Sequence, residues 1–173
     1  MIEVRPLRED ERGWVRSMIR ERWGSEIVVA HGVVYEPMLL PGFVAEEEGR
    51  PIGLLTYVLE SDACEIVTID AFEEGRGVGT SLIDAAKALG ARRLWLITTN
   101  DNVRAQRFYE RRGFKLVAVH GGAVDRARSM KSEIPLLGDG GIEIHDELEY
   151  ELRPGRGGGA PLILPKRRSW SAV

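Results

Sequence analysis

Residues Glu74-Gly75-Arg76-Gly77-Val78-Gly79-Thr80 place three glycines and an arginine where an apolar segment gives way to a helix-patterned one. At such a junction unpaired backbone N–H groups converge with the positive end of the helix dipole, which suits an anion. Glycine, lacking a Cβ, lets the main chain approach something as bulky as a diphosphate, and Arg76 can add a charge-assisted bond. Alone, a glycine-bearing turn is equally compatible with tight packing. Two other phosphate loops are excluded by spacing: no Gly-x-x-x-x-Gly-Lys-Ser/Thr occurs, and the glycines fall as Gly-x-Gly-x-Gly instead of the dinucleotide pattern Gly-x-Gly-x-x-Gly.

Two carboxylates upstream are candidates for proton transfer. Strict alternation through residues 64–72 puts Glu65 on one face with Val67 and Ile69, an odd place for a free carboxylate, where burial would raise its pKa into the range of a useful base. Asp70 then points to the opposite face. For either, the bland alternative is a strand carboxylate bonded to backbone or solvent. His31, His120 and His145 are scattered without ligand spacing, so each reads as structural and no zinc site is expected. Cys64 lacks an identifiable histidine partner and reads as a small buried hydrophobe. The run Glu46-Glu47-Glu48 reads as solvated charge.

These groups need a scaffold. Residues 2–7 alternate as a strand, and residues 9–23 place Trp14, Met18, Ile19 and Trp23 near helical spacing. A short strand over 28–35, an irregular link over 36–42, and a hairpin of strands 43–46 and 52–59 follow. The strand at 64–72 leads into a helix over 77–89, with Val78, Leu82, Ala85, Ala86 and Leu89 on one face and Gly90 as its cap. A mid-sheet strand at 93–98, a short helix at 102–112 ended by Gly113, a strand at 114–119 and a closing strand at 142–152 complete the order. In that last strand the acids that alternate with Ile144 and Leu148 read as solvated, with an amine-binding groove near the strand as the lesser alternative. The pattern predicts an α/β (α+β) domain over residues 1–153, with a mixed, mostly antiparallel sheet and flanking helices.

Composition sets the limits. A chain of 173 residues with 43% hydrophobic and 29% charged residues fits one globular domain, and no apolar run reaches the length of a membrane span. One cysteine and no visible export signal predict a cytoplasmic setting. Lys plus Arg less Asp plus Glu is 24 − 27 = −3, which makes no strong case for nucleic-acid binding. Residues 154–173 carry Arg156, Lys166, Arg167 and Arg168 and no acid, so the body before them holds −3 − 4 = −7, a balance that suits a cationic acceptor. Rich in glycine, proline and arginine, that tail is expected to be mobile.

With the elements placed, the sequence resembles the GNAT superfamily of N-acetyltransferases. Glu74-Gly75-Arg76-Gly77-Val78-Gly79 matches the family's Gln/Arg-x-x-Gly-x-Gly/Ala except at its first position, where Glu stands. Asn102-Val103-Arg104-Ala105-Gln106-Arg107-Phe108-Tyr109-Glu110-Arg111-Arg112-Gly113-Phe114 matches Asn-x-x-Ala-x-x-Phe/Leu-Tyr-x-x-x-Gly-Phe throughout. The similarity spans roughly residues 1–120.

The resemblance implies a fold whose middle strands splay apart around acetyl-CoA, bound as co-substrate without a metal. It assigns the diphosphate to the backbone of residues 74–80, with the Glu74 side chain turned to solvent or paired with an arginine. Ile69, Asp70, Asn102, Ala105, Phe108 and Tyr109 would lie along the pantetheine arm, with Asn102 bonding it. Tyr109 would protonate the departing thiolate; a phenol of pKa about 10 keeps its proton at neutral pH. Glu65, as base, resembles the fourth-strand glutamate of some members, and Asp70 is the second candidate. The expected activity is acetyl transfer to a primary amine, of a small molecule or a protein, with a homodimer the commonest assembly for so small an enzyme. The alternative is an acyl-CoA-binding regulatory module without turnover.

Overall fold

Alternating apolar residues make the strands of this chain, and three-to-four spacing makes its helices. The computed structural model describes residues 1–155. In chain order the elements are β1 (Glu3–Pro6), α1 (Arg12–Trp23), β2 (Val28–Ala30), β3 (Val33–Tyr35), β4 (Gly42–Glu47), β5 (Arg50–Glu60), β6 (Ala63–Ala71), α2 (Val78–Lys87), β7 (Arg93–Thr99), α3 (Val103–Glu110), β8 (Lys115–His120), α4 (Ala123–Ala127) and β9 (Glu147–Leu152). The expected tail over 154–173 lies, from residue 156 on, outside the described residues.

Seven strands form one sheet in the order β1-β4-β5-β6-β7-β9-β8, with β2 and β3 as a separate hairpin. Every neighbouring pair in the large sheet is antiparallel except β6 and β7. Those two run parallel and pair only from Ala63 opposite Arg93 to Ile66 opposite Leu96, then part. The expected mixed sheet with splayed middle strands is therefore present. Beyond Ile66, β6 keeps β5 on one side and has an open edge on the other, with main-chain groups available to a ligand.

Both faces are covered. α2 lays Val78, Leu82, Ile83 and Ala86 against Leu55, Tyr57, Ile66, Leu94 and Leu96. α1 lays Val15, Met18 and Ile19 against Met38, Val44 and Leu54 on the other face. Each such side chain taken from water contributes about 1.5–3 kcal/mol. α1 stops at Gly24, whose left-handed φ of 71° lets its N–H reach Arg20 O.

Four expectations need correction. The strand over 28–35 is a hairpin, because His31 and Gly32 both take positive φ, 40° and 78°, and reverse the chain. The last strand begins only at Glu147: ahead of it Ile144 N–H bonds Leu136 O, and the N–H groups of His145 and Asp146 bond Asn100 Oδ1, so loops take the backbone that a ladder would use. That strand sits between β7 and β8, leaving β8 at the edge. Finally, the register of β6 slips at Val67, since Thr56 faces Thr68 while Tyr57 faces Ile66. This bulge re-aims everything after it: Glu65 shares a face with Thr68 and Asp70, and Ile69 turns to the other side with Ile66.

The acids expected to be solvated are also engaged. Glu46 pairs with Arg5, Glu47 with Arg76, and both Glu149 and Glu151 with Arg93. Glu147 is buried.

Candidate functional site

The loop after β6 enters α2 through Gly77, a left-handed cap with φ 82° and no side-chain capping bond. The first helical bond runs from Ser81 N–H to Gly77 O, so the N–H groups of Val78, Gly79 and Thr80 have no acceptor within the helix. Val78 and Gly79 line a cleft of about 620 Å³ bounded by the end of β6, the start of α2 and one side of α3, with Thr80 one position further along the helix start. A Cβ on Gly79 would lie 2.7 Å from Phe108 Cζ, so the glycine is what allows Phe108 to close against the helix start.

Side chains around this cleft are sorted by ion pairing. Arg104 takes Glu74, the position where the acid departs from the motif, and holds that carboxyl below its usual range. Arg76 is committed to Glu47 and Glu73, and of the three arginines lining the cleft Arg22 pairs with Asp70 and Arg104 with Glu74, so among the described residues Arg112 is the one without a carboxylate partner. Its guanidinium lies 3.5 Å from the Phe108 ring centroid and donates through Nε to Thr80 Oγ1 at 3.0 Å. Burial lowers the pKa of Arg112. Asn102 caps α3, with Oδ1 accepting the Ala105 N–H at 3.1 Å.

Tyr109, 7% exposed, is wedged between Phe108 and Phe114, with centroids at 5.3 and 5.6 Å. Burial, helped by the negative charge of Asp70, pushes its phenol above the ordinary value, so it remains a proton donor through the neutral range. Tyr109 lines both the cleft and a second cavity, of about 230 Å³, between the parting strands β6 and β7.

Glu65 lines that second cavity and is 5% exposed. His31 Nε2 lies 2.7 Å from its Oε1, and Tyr35 donates its hydroxyl to Oε2 at 2.8 Å. Burial and the Glu65 carboxylate push the Tyr35 phenol up, which keeps it protonated as that donor. His31, tilted on Trp95 at 5.2 Å, also donates its backbone N–H to Glu147 Oε2 at 3.0 Å. The β2–β3 turn thus ties two buried carboxylates together. Asp70 is held differently, by Arg22 Nε at 2.8 Å and Trp23 Nε1 at 2.9 Å, which fastens the end of α1 to β6. Cys64 is buried beside Glu65, and burial first, then that charge, pushes its thiol up to about 12, leaving it unreactive.

The structure therefore gathers Ile69, Asp70, Glu74, Gly75, Gly77, Val78, Gly79, Asn102, Ala105, Phe108 and Tyr109 along one cleft, with Glu65 at the adjoining gap. Thr80 stands behind as the acceptor for Arg112. His31, read as structural, Tyr35 and Arg112 escape the sequence reading, and Glu147 enters it only through the lesser alternative of an amine-binding groove near the last strand. A signal existed for the first, since His-Gly between two short β-prone runs is a two-residue turn pattern. Among the described residues no cluster of His, Cys, Asp or Glu is placed to hold a metal, and no helix is long and apolar enough to cross a membrane.

Comparison with known proteins gives the same outline. Residues 8–114 match the acetyltransferase (GNAT) family. The uncharacterized protein YxbD of Bacillus subtilis is 37% identical over 152 residues, covering 85% of this chain and 96% of that one. Among solved structures, an IAA acetyltransferase from Bacillus cereus superposes with a TM-score of 0.67 at 17% identity, over 89% of this chain and all (100%) of that one. A Bacillus subtilis acetyltransferase in complex with CoA superposes with a TM-score of 0.60 at 19% identity, over 88% and 97% of the two chains.

Proposed function

Since this chain belongs to the acetyltransferase (GNAT) family, we propose that it transfers an acetyl group from acetyl-CoA directly to a primary amine. The observation that carries the reading is the continuity of two cavities through Tyr109: a cleft headed by the free N–H groups of α2 meets a gap containing the buried Glu65. The cleft's volume, its Cβ-free contact at Gly79 and its unpaired amides fit a diphosphate-bearing thioester.

Acetyl-CoA supplies the activated acetyl group. The amides of Val78, Gly79 and Thr80 hold the diphosphate, Arg112 adds positive charge, and the open edge of β6 beyond Ile66 receives the pantetheine arm. Glu65 takes a proton from the acceptor ammonium, which frees the nitrogen lone pair to attack the thioester carbon. As the N–C bond forms and the C–S bond breaks, the Tyr109 hydroxyl gives its proton to the leaving sulfur, and the second proton lost by the nitrogen as the amide forms restores the phenol. His31 and Tyr35 fix the Glu65 carboxylate in place. Much of the acceleration comes from holding the two substrates in register. A cytoplasmic setting completes the reading, in keeping with a single buried thiol.

Thiol release from acetyl-CoA, measured against a panel of amines, tests this. Amine-dependent release is expected, and Tyr109→Phe should reduce kcat about a hundredfold while coenzyme affinity is retained. Coenzyme binding with no turnover on any amine, and no effect of that substitution, would favour the binding module instead.

A further inference from the structure

We propose that the acetyl acceptor carries a second cationic group and that Glu147 selects for it. This rests on the amine-acetylation reading above and names the class of substrate for the same site.

Glu147 opens β9, opposite Thr99 on β7 and His120 on β8. It is 2% exposed, yet it lines both the gap of about 230 Å³ that contains Glu65 and a neighbouring cavity of about 550 Å³. It is the wall the two spaces share. Its Oε2 accepts the His31 N–H, and among the described residues no cationic side chain reaches it.

Its neighbours on the same face of β9 are treated differently. Glu149 and Glu151 both pair with Arg93, and His120 Nε2 lies 2.9 Å from Glu149 Oε2. The compensating charge stops one pair short of Glu147. Among the described residues that line the gap the only charged ones are Glu65 and Glu147; the rest of that lining is largely apolar, including Trp23, Val28, Ile66 and Ile97. A buried carboxylate without a counter-cation is costly, and a bound cation offsets that cost.

The two acids divide the work. Glu65 already accepts from His31 and Tyr35 and shares its cavity with Tyr109, so the reacting nitrogen belongs there. Glu147, whose bond among the described residues is to the His31 backbone N–H, is left to face a second ammonium or similar group. A side-chain amine of pKa about 10.4 is cationic at neutral pH, so a short diamine supplies both. In the wider cavity Arg126, exposed and bonded to Gly121 O, faces outward from the same lining and opposes a longer chain of cations.

The test uses the intact protein with three amines of equal length that differ at the far end: pentylamine, aminobutanol and diaminobutane. For the wild type, kcat/KM should favour diaminobutane over the other two by about tenfold or more, mostly through KM. Glu147→Gln should bring that ratio within about threefold, and Glu147→Asp, which keeps the charge, should retain most of it. Equal kcat/KM for all three in the wild type, or a preference that survives Glu147→Gln, overturns the proposal. Calorimetric titration of the same amines into protein saturated with CoA separates the two ideas. Discrimination in binding without any acetylation would leave the cation site standing and remove the enzymatic reading. Acetylation of all three amines without discrimination would do the reverse. If Glu147→Gln does not fold, Glu147→Asp and the wild-type preference still decide the matter.

Discussion

Glu65 and Asp70 point to the same face of β6, opposite Val58 and Leu54 of β5, although they stand five positions apart, an offset that puts residues of a regular strand on opposite faces. The bulge at Val67 is the reason, and it gives the two acids separate duties. Glu65→Gln is expected to lower kcat by about 10²–10⁴ at near-constant stability. Asp70→Asn should act mainly on stability, by about 1–3 kcal/mol, because Arg22 and Trp23 lose a charged acceptor. Paired kinetics and thermal melts of the two variants check this.

His31 holds a φ of 40°, a region that side chains rarely adopt, at the point where its ring meets Glu65. Strain kept at such a contact is consistent with function. His31→Gly should relieve it and His31→Ala should not, so the glycine variant is expected to be about 1 kcal/mol more stable than the alanine one. Both should lose activity together. Chemical denaturation beside steady-state rates would show stability and turnover moving independently.

Gly79→Ala forces a methyl into the Phe108 ring. Overpacking of this kind costs about 1–3 kcal/mol, which lowers the melting temperature by several degrees in a chain of this size, on the order of 2–4 °C per kcal/mol. Phe108 must move into the cleft, so CoA affinity should fall about tenfold or more by calorimetry. Gly13→Ala, on the exposed face of α1 with open space around it, is the control: it should leave CoA affinity unchanged and, as a helical Gly→Ala, raise the melting temperature slightly instead of lowering it.

Acid stability has a definite source at the other end of the sheet. The Arg5 guanidinium, aided by the Arg8 backbone N–H, pulls the Glu11 carboxyl from 4.5 to about 2. A folded value below the unfolded one means the stabilisation is complete above the ordinary carboxylate range and is lost as pH falls from 4.5 toward about 2. Glu11→Gln should therefore be less stable than wild type at neutral pH, and the gap should close across that window. Urea melts at several pH values would measure it.

Both motif segments were legible because their chemistry is local. Gly77 and Gly79 are needed where a turn becomes a helix, and Asn102 caps the helix that carries Tyr109, all within short stretches of chain. The acceptor side was not legible, because it is assembled across distance. No local pattern announces that the chain slips at Val67, or that the turn at His31 will lie over a strand more than thirty residues on. Glu147 alternates with Leu148 as a solvent-facing residue would, yet the β2–β3 turn covers its face of the sheet.

The most direct test follows the backbone amides of residues 76–80 by heteronuclear NMR while CoA is added. If the start of α2 cradles the diphosphate, the N–H resonances of Val78, Gly79 and Thr80 should shift further than any others and saturate with one equivalent of ligand. Saturable binding that leaves those three signals in place, or no binding at all to the folded protein, would contradict the assignment.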